Sequence, residues 1–232
     1  MRWLRWLVVC AGLLLGIVTP ARADVVWDQS FIEREMARNR FALQAAQLVV
    51  PELKEMLGDP TFPIYVTLTD DVYGSLQRLH KGRPLSEGHQ ENIANGVHPL
   101  AATTWDRDVN AVRVFILTSQ YETAKFPQLC CTLTHEFTHG KSFYDKKKGK
   151  IAASKKLSVT VEERRWEKYV YEVTIQGWVV ILQDGSLAQL LLQAPGPLDP
   201  GSFLRAIDVE VDADRGKLRG YEKLLSEPQM KN

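Results

Sequence analysis

The stretch CTLTHEFTHG, residues 131–140, contains two of the five histidines of this 232-residue chain, with a glutamate between them. His135 and His139 are four residues apart, so on a helix they lie one turn apart on the same face. Both imidazole rings can therefore be directed at one metal ion. Glu136 lies about 100° around such a helix, close enough to reach a water molecule on the metal without being a ligand. The stretch predicts a helix that carries a zinc site and a base.

Each residue type in this motif suits the hydrolysis of an amide bond. A zinc ion held by His135 and His139 would lower the pKa of a bound water toward neutrality and polarise a carbonyl group. Glu136 would take the proton of that water and pass it to the leaving amine. The simpler alternative is a solvated helix face that carries two histidines and an acid without binding a metal.

Apolar residues at helical spacing predict the helices around the motif. One covers 31–57 with an interruption, the motif helix covers 127–140, and a long acidic helix covers 159–182. A C-terminal helical segment follows at 202–226. The motif helix is expected to end near Gly140, because glycine often follows the last residue of a helix.

Runs rich in β-branched and aromatic residues predict the strands. One strand is expected at 64–68, and a hairpin over 100–117 has its turn at 106–110. We therefore expect an α+β fold, in which a small mixed or antiparallel sheet packs on the motif helix and on the glutamate-bearing helix after it. The substrate cleft would lie between the edge strand of the sheet and the motif helix.

The first 23 residues have the pattern of a secretory signal peptide. Arginines precede an apolar run, and the segment ends in Ala21-Arg22-Ala23, the small-residue pattern that signal peptidase cleaves. We expect cleavage after Ala23, a secreted or periplasmic protein, and a single domain over 24–232 with its core at about 62–182. An uncleaved N-terminal anchor is the alternative, and no other segment of the sequence is long and apolar enough to span a bilayer.

The charge balance excludes some partners. With 29 basic and 28 acidic residues, the net charge is +1, which gives no electrostatic reason to expect binding to nucleic acid or to an anionic membrane. The lysine-rich segment 146–156 is interpreted as a solvated loop, or alternatively as a cationic lip that collects acidic substrates. Cys130 and Cys131 are adjacent, so a disulfide between them would be strained, and we expect buried thiols.

The strand, the HEFTH helix and the later glutamate-bearing helix together resemble the gluzincin clan of zinc peptidases, in particular its small members, the minigluzincins. In that clan two histidines bind zinc, the motif glutamate is the general base, and a glutamate of a later helix completes the site. The resemblance implies that His135 and His139 are zinc ligands and that Glu136 is the base. The substrate would be a peptide or protein that binds as an added strand.

A catalytic zinc needs a third protein ligand, and several acids compete for that role. Glu172 is favoured, because the helix around it is similar to the glutamate helix of small zincins. Glu210, with Asp214, resembles the third-ligand motif of membrane-type gluzincins, although those proteins have several membrane spans. The remaining candidates are the other acids of the helix 159–182, namely Glu162, Glu163 and Glu167.

The sequence leaves open which residue stabilises the oxyanion. Tyr144, Tyr169 or Tyr171 could donate a hydrogen bond to the oxyanion of a tetrahedral intermediate.

The function itself has two alternatives to a metallopeptidase. One is a zinc-stabilised binding or adaptor module of the same fold with little turnover. The other is a metallo-amidase that acts on cell-wall material.

Overall fold

The structure is a computed structural model. It describes residues 25–27, 33–82, 85, 90, 93–96, 99–123, 125–150, 159–192, 194 and 199–226. The predicted signal peptide lies outside the described residues, and so does the end of the lysine-rich segment, residues 151–156.

A mixed sheet of four strands forms one layer of the described fold, in the order β1-β2-β4-β3. β1 pairs with β2 and β2 with β4 in parallel, whereas β3 pairs with β4 in antiparallel register. Among the described residues, no strand pairs with the other edge of β3, so this edge is free. The predicted strand and hairpin are confirmed, and β1 was not predicted. The strands are β1 (Val25–Trp27), β2 (Ile64–Thr69), β3 (Ala101–Asp106) and β4 (Ala111–Leu117).

Helices make up most of the remaining described residues, which confirms the α+β class. All of the predicted helices are present, and the interruption of the first one separates α1 from α2. None of the described helices combines enough length and apolar character to cross a membrane. The helices are α1 (Glu33–Val49), α2 (Leu53–Leu57), α3 (Val72–Leu79), α4 (Thr118–Thr123), α5 (Phe126–Lys147), α6 (Val159–Gln183), α7 (Ser186–Leu191) and α8 (Pro200–Ser226).

The motif helix α5 does not end near Gly140, as the sequence had suggested, but continues to Lys147. Gly140 instead faces the sheet, where an added Cβ would lie 3.4 Å from Cγ1 of Val112. The glycine that follows the helix is Gly149, whose φ of +70° lies in the left-handed region. Gly140 therefore serves the packing of helix on sheet rather than helix termination.

The motif helix occupies the centre of the fold. It contacts β3 and β4 on one side and α1, α6 and α8 on the other. Val114 of β4 joins the main core, which includes Phe137 of α5, whereas its neighbour Phe115 packs with α3 in a smaller cluster. The two faces of the sheet are thus covered by different helices, because successive side chains of a strand point to opposite faces.

Cys130 and Cys131 lie in the main core as free thiols, as expected. Burial raises the pKa of the Cys131 thiol well above its usual value, and the nearby carboxylates of Asp214 and Glu210 act in the same direction. Cys131 lies one turn before His135, but it packs as an apolar side chain.

Candidate metal centre

Three side chains from two helices converge on one point. His135 and His139 of α5 have their Nε2 atoms 3.1 Å apart, as expected for positions one turn apart on the same face. Glu167 of α6 reaches both rings: its Oε2 lies 3.4 Å from Nε2 of His135 and its Oε1 lies 3.2 Å from Nε2 of His139. One ligand atom from each residue lies within 4.8 Å of the others. Two imidazoles and a carboxylate form a donor set that catalytic zinc sites use.

The three groups are partly shielded from water and strongly coupled. The histidine side chains are 14% and 15% exposed, and that of Glu167 is 33% exposed. Burial disfavours the charged form of His139, but the Glu167 carboxylate outweighs this effect and raises the pKa of His139. Burial likewise opposes the charge of Glu167, yet the two imidazoles hold the pKa of its carboxyl well below the usual range. The two imidazoles therefore hold the Glu167 carboxyl in its charged form.

Glu136, the residue after His135, is not one of the three clustered groups and contacts the sheet. Its carboxylate is buried, and Oε2 accepts a hydrogen bond of 2.6 Å from the hydroxyl of Thr103. The same hydroxyl lies 3.1 Å from the backbone oxygen of Glu136. Thr103 belongs to β3, the edge strand, so Glu136 lies between the two histidines and the free edge of the sheet.

Glu172, the favoured third ligand, is not brought to the histidines. It forms an ion pair with Lys168 of its own helix and is 46% exposed. Glu167 and Glu172 are five residues apart, about 140° around α6, so they cannot face the same point. Glu167, one of the remaining candidates, occupies the position predicted for Glu172.

The other acids considered for this role also lie elsewhere. Asp214 pairs with Lys217 at 2.9 Å on α8, and burial together with the charge of Asp214 raises the pKa of Glu210. Within the part of the chain that the structure describes, the cluster with metal-ligand geometry is formed by His135, His139 and Glu167, without Glu162 or Glu163.

A signal for Glu167 was present in the sequence. From Val170 to Ile181, the buried residues of α6 recur at helical spacing and form one stripe along the helix. Glu167 lies at the N-terminal end of that stripe, whereas Glu172 falls outside it. A glutamate that continues an apolar stripe is directed at the neighbouring helices and needs a buried partner. The stripe consists of Val170, Tyr171, Thr174, Trp178 and Ile181.

Of the three tyrosines considered as oxyanion donors, Tyr171 lies beside the histidines. Its ring centroid is 4.5 Å from that of His135, and Tyr221 of α8 stacks on it at 5.9 Å. Burial, followed by the charge of Glu167, raises the pKa of the Tyr171 phenol, which stays a proton donor. The other two are directed elsewhere: Tyr144 donates to Glu55, and Tyr169 is half exposed on another side of α6.

Two lysines in the described part of the lysine-rich segment are held in ion pairs. Lys148 pairs with Asp59 at 2.6 Å, and Lys150 pairs with Glu55 at the same distance. These contacts tie the C-terminal end of α5 to α2 and the turn after it. The hydrogen bond from Lys148 also holds the pKa of the Asp59 carboxyl well below its usual range.

Comparison with models of protein families gives no match, and neither does comparison with curated proteins or with solved structures.

Proposed function

We propose that the protein is an exported zinc-dependent metallopeptidase with a zincin-like arrangement, in which His135, His139 and Glu167 hold the metal and Glu136 is the general base. One observation carries the proposal. Two imidazoles of one helix and a carboxylate of the next converge beside a second carboxylate that faces the free edge of a sheet. A solvated helix face would not require a glutamate of another helix to meet both rings.

The donor set fits a catalytic rather than a structural zinc site. Three protein ligands leave one position of a tetrahedral zinc for water or substrate, whereas structural sites use four protein ligands. Because His135, His139 and Glu167 are partly exposed, water could reach a metal ion that they hold. A zinc ion bound there would polarise a carbonyl group and lower the pKa of water.

Glu136 supplies the proton transfer. Its carboxylate can accept a proton from the water that attacks a peptide carbonyl, and it can return that proton to the leaving amine. The Thr103 hydroxyl donates to Oε2 and so fixes the direction of the carboxylate. Because Thr103 binds Oε2, the other carboxylate oxygen, Oε1, is left for the proton transfer. Thr103 is therefore a positioning residue in this proposal, and Glu136 is the catalytic one.

The free edge of β3 provides a binding surface for an extended substrate. A peptide that pairs with this edge gains backbone hydrogen bonds without depending on its own sequence. Such a peptide would lie along α5 and pass Glu136, which contacts the same strand through Thr103. The Tyr171 phenol, beside His135, is the donor that we assign to the developing oxyanion.

The proposal is tested by zinc stoichiometry, measured by elemental analysis of the purified protein. We expect one zinc per chain in the wild type and in Glu172→Ala, which removes a matched acid from the same helix. Glu167→Ala should bind zinc about tenfold or more weakly, and a variant without both histidines should bind none. Normal zinc in Glu167→Ala with loss in Glu172→Ala would overturn the ligand set.

A hydrolysis assay then separates the enzyme from a binding module. Glu136→Gln should keep its zinc and lose cleavage of an unfolded protein substrate by about a hundredfold or more, because only the base is changed. A wild type that binds zinc and cleaves neither peptides nor peptidoglycan would be the non-catalytic module. Cleavage of peptidoglycan alone would identify the cell-wall amidase.

A further inference from the structure

Each of the three elements that build the proposed active site, β3, α5 and α6, carries a large aromatic side chain close to its active-site residue. The aromatic residue follows the active-site residue by two positions on β3 and by one helical turn on α5, and it directly precedes the active-site residue on α6. The site groups and their aromatic neighbours on β3, α5 and α6 are, in turn, Thr103 and Trp105, His139 and Phe143, and Glu167 and Trp166.

The three rings form a continuous aromatic row, defined by Trp105, Phe143 and Trp166. The centroids of Trp105 and Phe143 are 6.5 Å apart with 34° between the ring planes. Phe143 and Trp166 are 6.4 Å apart with 23° between the planes. All three rings are partly exposed. Trp105 also stacks on Phe62, which is 1% exposed, so the row is anchored in the core at one end.

The aromatic row lies on the face of β3 that packs against α5. Side chains two residues apart on a strand share a face, and the contacts bear this out: Thr103 reaches Glu136 and Trp105 reaches Phe143. Two residues of strand span about 7 Å, and one turn of helix spans about 5.4 Å. The row therefore lies about 5 to 7 Å further along β3 and α5 than the histidines and the base, which is the span of about two residues in an extended peptide.

We propose that the aromatic row is a substrate subsite for an aromatic side chain, located about two peptide residues from the bond that the enzyme cleaves. This inference rests on the proposed function, because it deepens the specificity of the same cleft. Partly exposed, nearly parallel rings can accept a further ring in an offset or edge-to-face arrangement. Backbone pairing with β3 would align the peptide, and the row would select the register in which a ring is placed against Phe143.

The charge beside the row excludes basic side chains. The Lys147 ammonium lies 5.2 Å from the ring centroid of Trp105 and 5.7 Å from that of Phe62. A substrate lysine or arginine entering the row would meet this charge and would compete for the same ring faces. The subsite should therefore prefer phenylalanine, tyrosine or tryptophan over both alanine and lysine.

The subsite can be tested by NMR on the metal-free protein, where no turnover occurs. The probes are three blocked tetrapeptides that differ at one position: acetyl-Ala-Phe-Ala-Ala-amide and its alanine and lysine analogues. Indole N–H signals are assigned by their loss in Trp105→Phe and Trp166→Phe. The phenylalanine peptide should shift both signals and bind roughly three- to tenfold more tightly than the other two. The indole of Trp178, which is 1% exposed, should not move.

Two variants provide the matched comparison. Phe143→Ala should remove most of the preference for phenylalanine. Tyr169→Ala removes a half-exposed ring from another side of α6 and should leave the preference intact. The wild-type titration is decisive even if Phe143→Ala does not fold. Equal responses to the three peptides, or shifts in neither Trp105 nor Trp166, would overturn the subsite.

The outcomes for the subsite and for the peptidase can be told apart. Zinc-dependent cleavage of peptides without any aromatic preference, together with equal binding in the titration, would refute the subsite and leave the peptidase standing. Selective binding of the phenylalanine peptide by a protein that never hydrolyses peptides would support the subsite as an aromatic peptide-binding site and would refute the peptidase.

Discussion

The hydrogen bond between Thr103 and Glu136 joins the edge strand to the proposed base. A carboxylate on a helix can rotate about its terminal bonds, and a base is effective only when it is within hydrogen-bond reach of the proton that it takes. A single hydroxyl at 2.6 Å restricts that rotation at Oε2. In the proposed enzyme, the strand would contribute both the surface along which a substrate lies and the contact that orients the base.

Thr103→Val tests this role because it keeps the shape of the side chain and removes the hydroxyl. We expect kcat to fall about tenfold with little change in KM and no loss of zinc, since the base remains but is no longer held in one orientation. Thr103→Ser keeps the hydroxyl and should restore most of the rate. Steady-state kinetics on a peptide substrate measures both values.

Thr104→Val is the control for loss of a hydroxyl from the same strand. Thr104 lies on the opposite face of β3, where its hydroxyl is 3.1 Å from Nε2 of His80. We expect it to leave kcat within about twofold of the wild type. A Thr103→Val enzyme with wild-type kcat, or a Thr103→Ser enzyme as slow as Thr103→Val, would show that the hydrogen bond does not serve catalysis.

The rotation of α6 about its own axis decides which of its acids reaches the histidines. The sequence predicted that helix over 159–182 almost to the residue, but a helix prediction alone does not give its rotation. Packing gives it: Gly177 lies against α1, where an added Cβ would be 2.0 Å from the backbone oxygen of Val49. That contact turns Glu167 toward α5 and Glu172 toward solvent.

Gly177→Ala should be destabilising for this reason. The obstacle is a backbone oxygen that no side-chain rotation can remove, so the two helices would have to separate. We expect a loss of about 2 kcal/mol or more in the free energy of unfolding, measured by urea denaturation, even though alanine is the better helix former.

Gly216→Ala in α8 is the matched substitution, because no atom lies within 4 Å of an added Cβ there. It should raise the free energy of unfolding by about 0.5 to 1 kcal/mol, as expected when glycine is replaced in an open helix interior. Equal effects of the two substitutions would mean that the α1–α6 contact does not constrain α6.

The same distinction between local pattern and packing explains the other successes and errors of prediction. Periodicity and turn residues gave the sheet hairpin and the long helices, because those signals are local. The extension of α5 beyond Gly140 was missed, because the sequence does not distinguish a glycine that packs against a strand residue such as Val112 from one that ends a helix. The pair His135 and His139 could be predicted because their spacing lies within one helix, whereas Glu167 depends on how two helices meet.

The main core of the molecule does not depend on the metal site. It joins buried side chains of the sheet to those of α1, α5, α6 and α8, and the three proposed ligands lie beside it rather than within it. A chain of this length buries enough apolar surface to fold without a metal, unlike a zinc finger. Zinc would nevertheless stabilise the native state, because the ligand geometry exists only when α5 and α6 are packed together.

Removal of zinc should therefore lower the melting temperature without unfolding the protein. At a free zinc concentration a hundredfold above Kd, binding adds about 2.7 kcal/mol to the free energy of unfolding, which corresponds to about 5 to 10 °C in Tm for a protein of this size. Far-UV circular dichroism in EDTA should keep its helical signal at 25 °C, and a variant that lacks both His135 and His139 should melt at one temperature with or without zinc. Unfolding of the wild type in EDTA at 25 °C would instead mean that the protein needs the metal to fold. A wild-type Tm that zinc does not change would argue against a zinc site between α5 and α6.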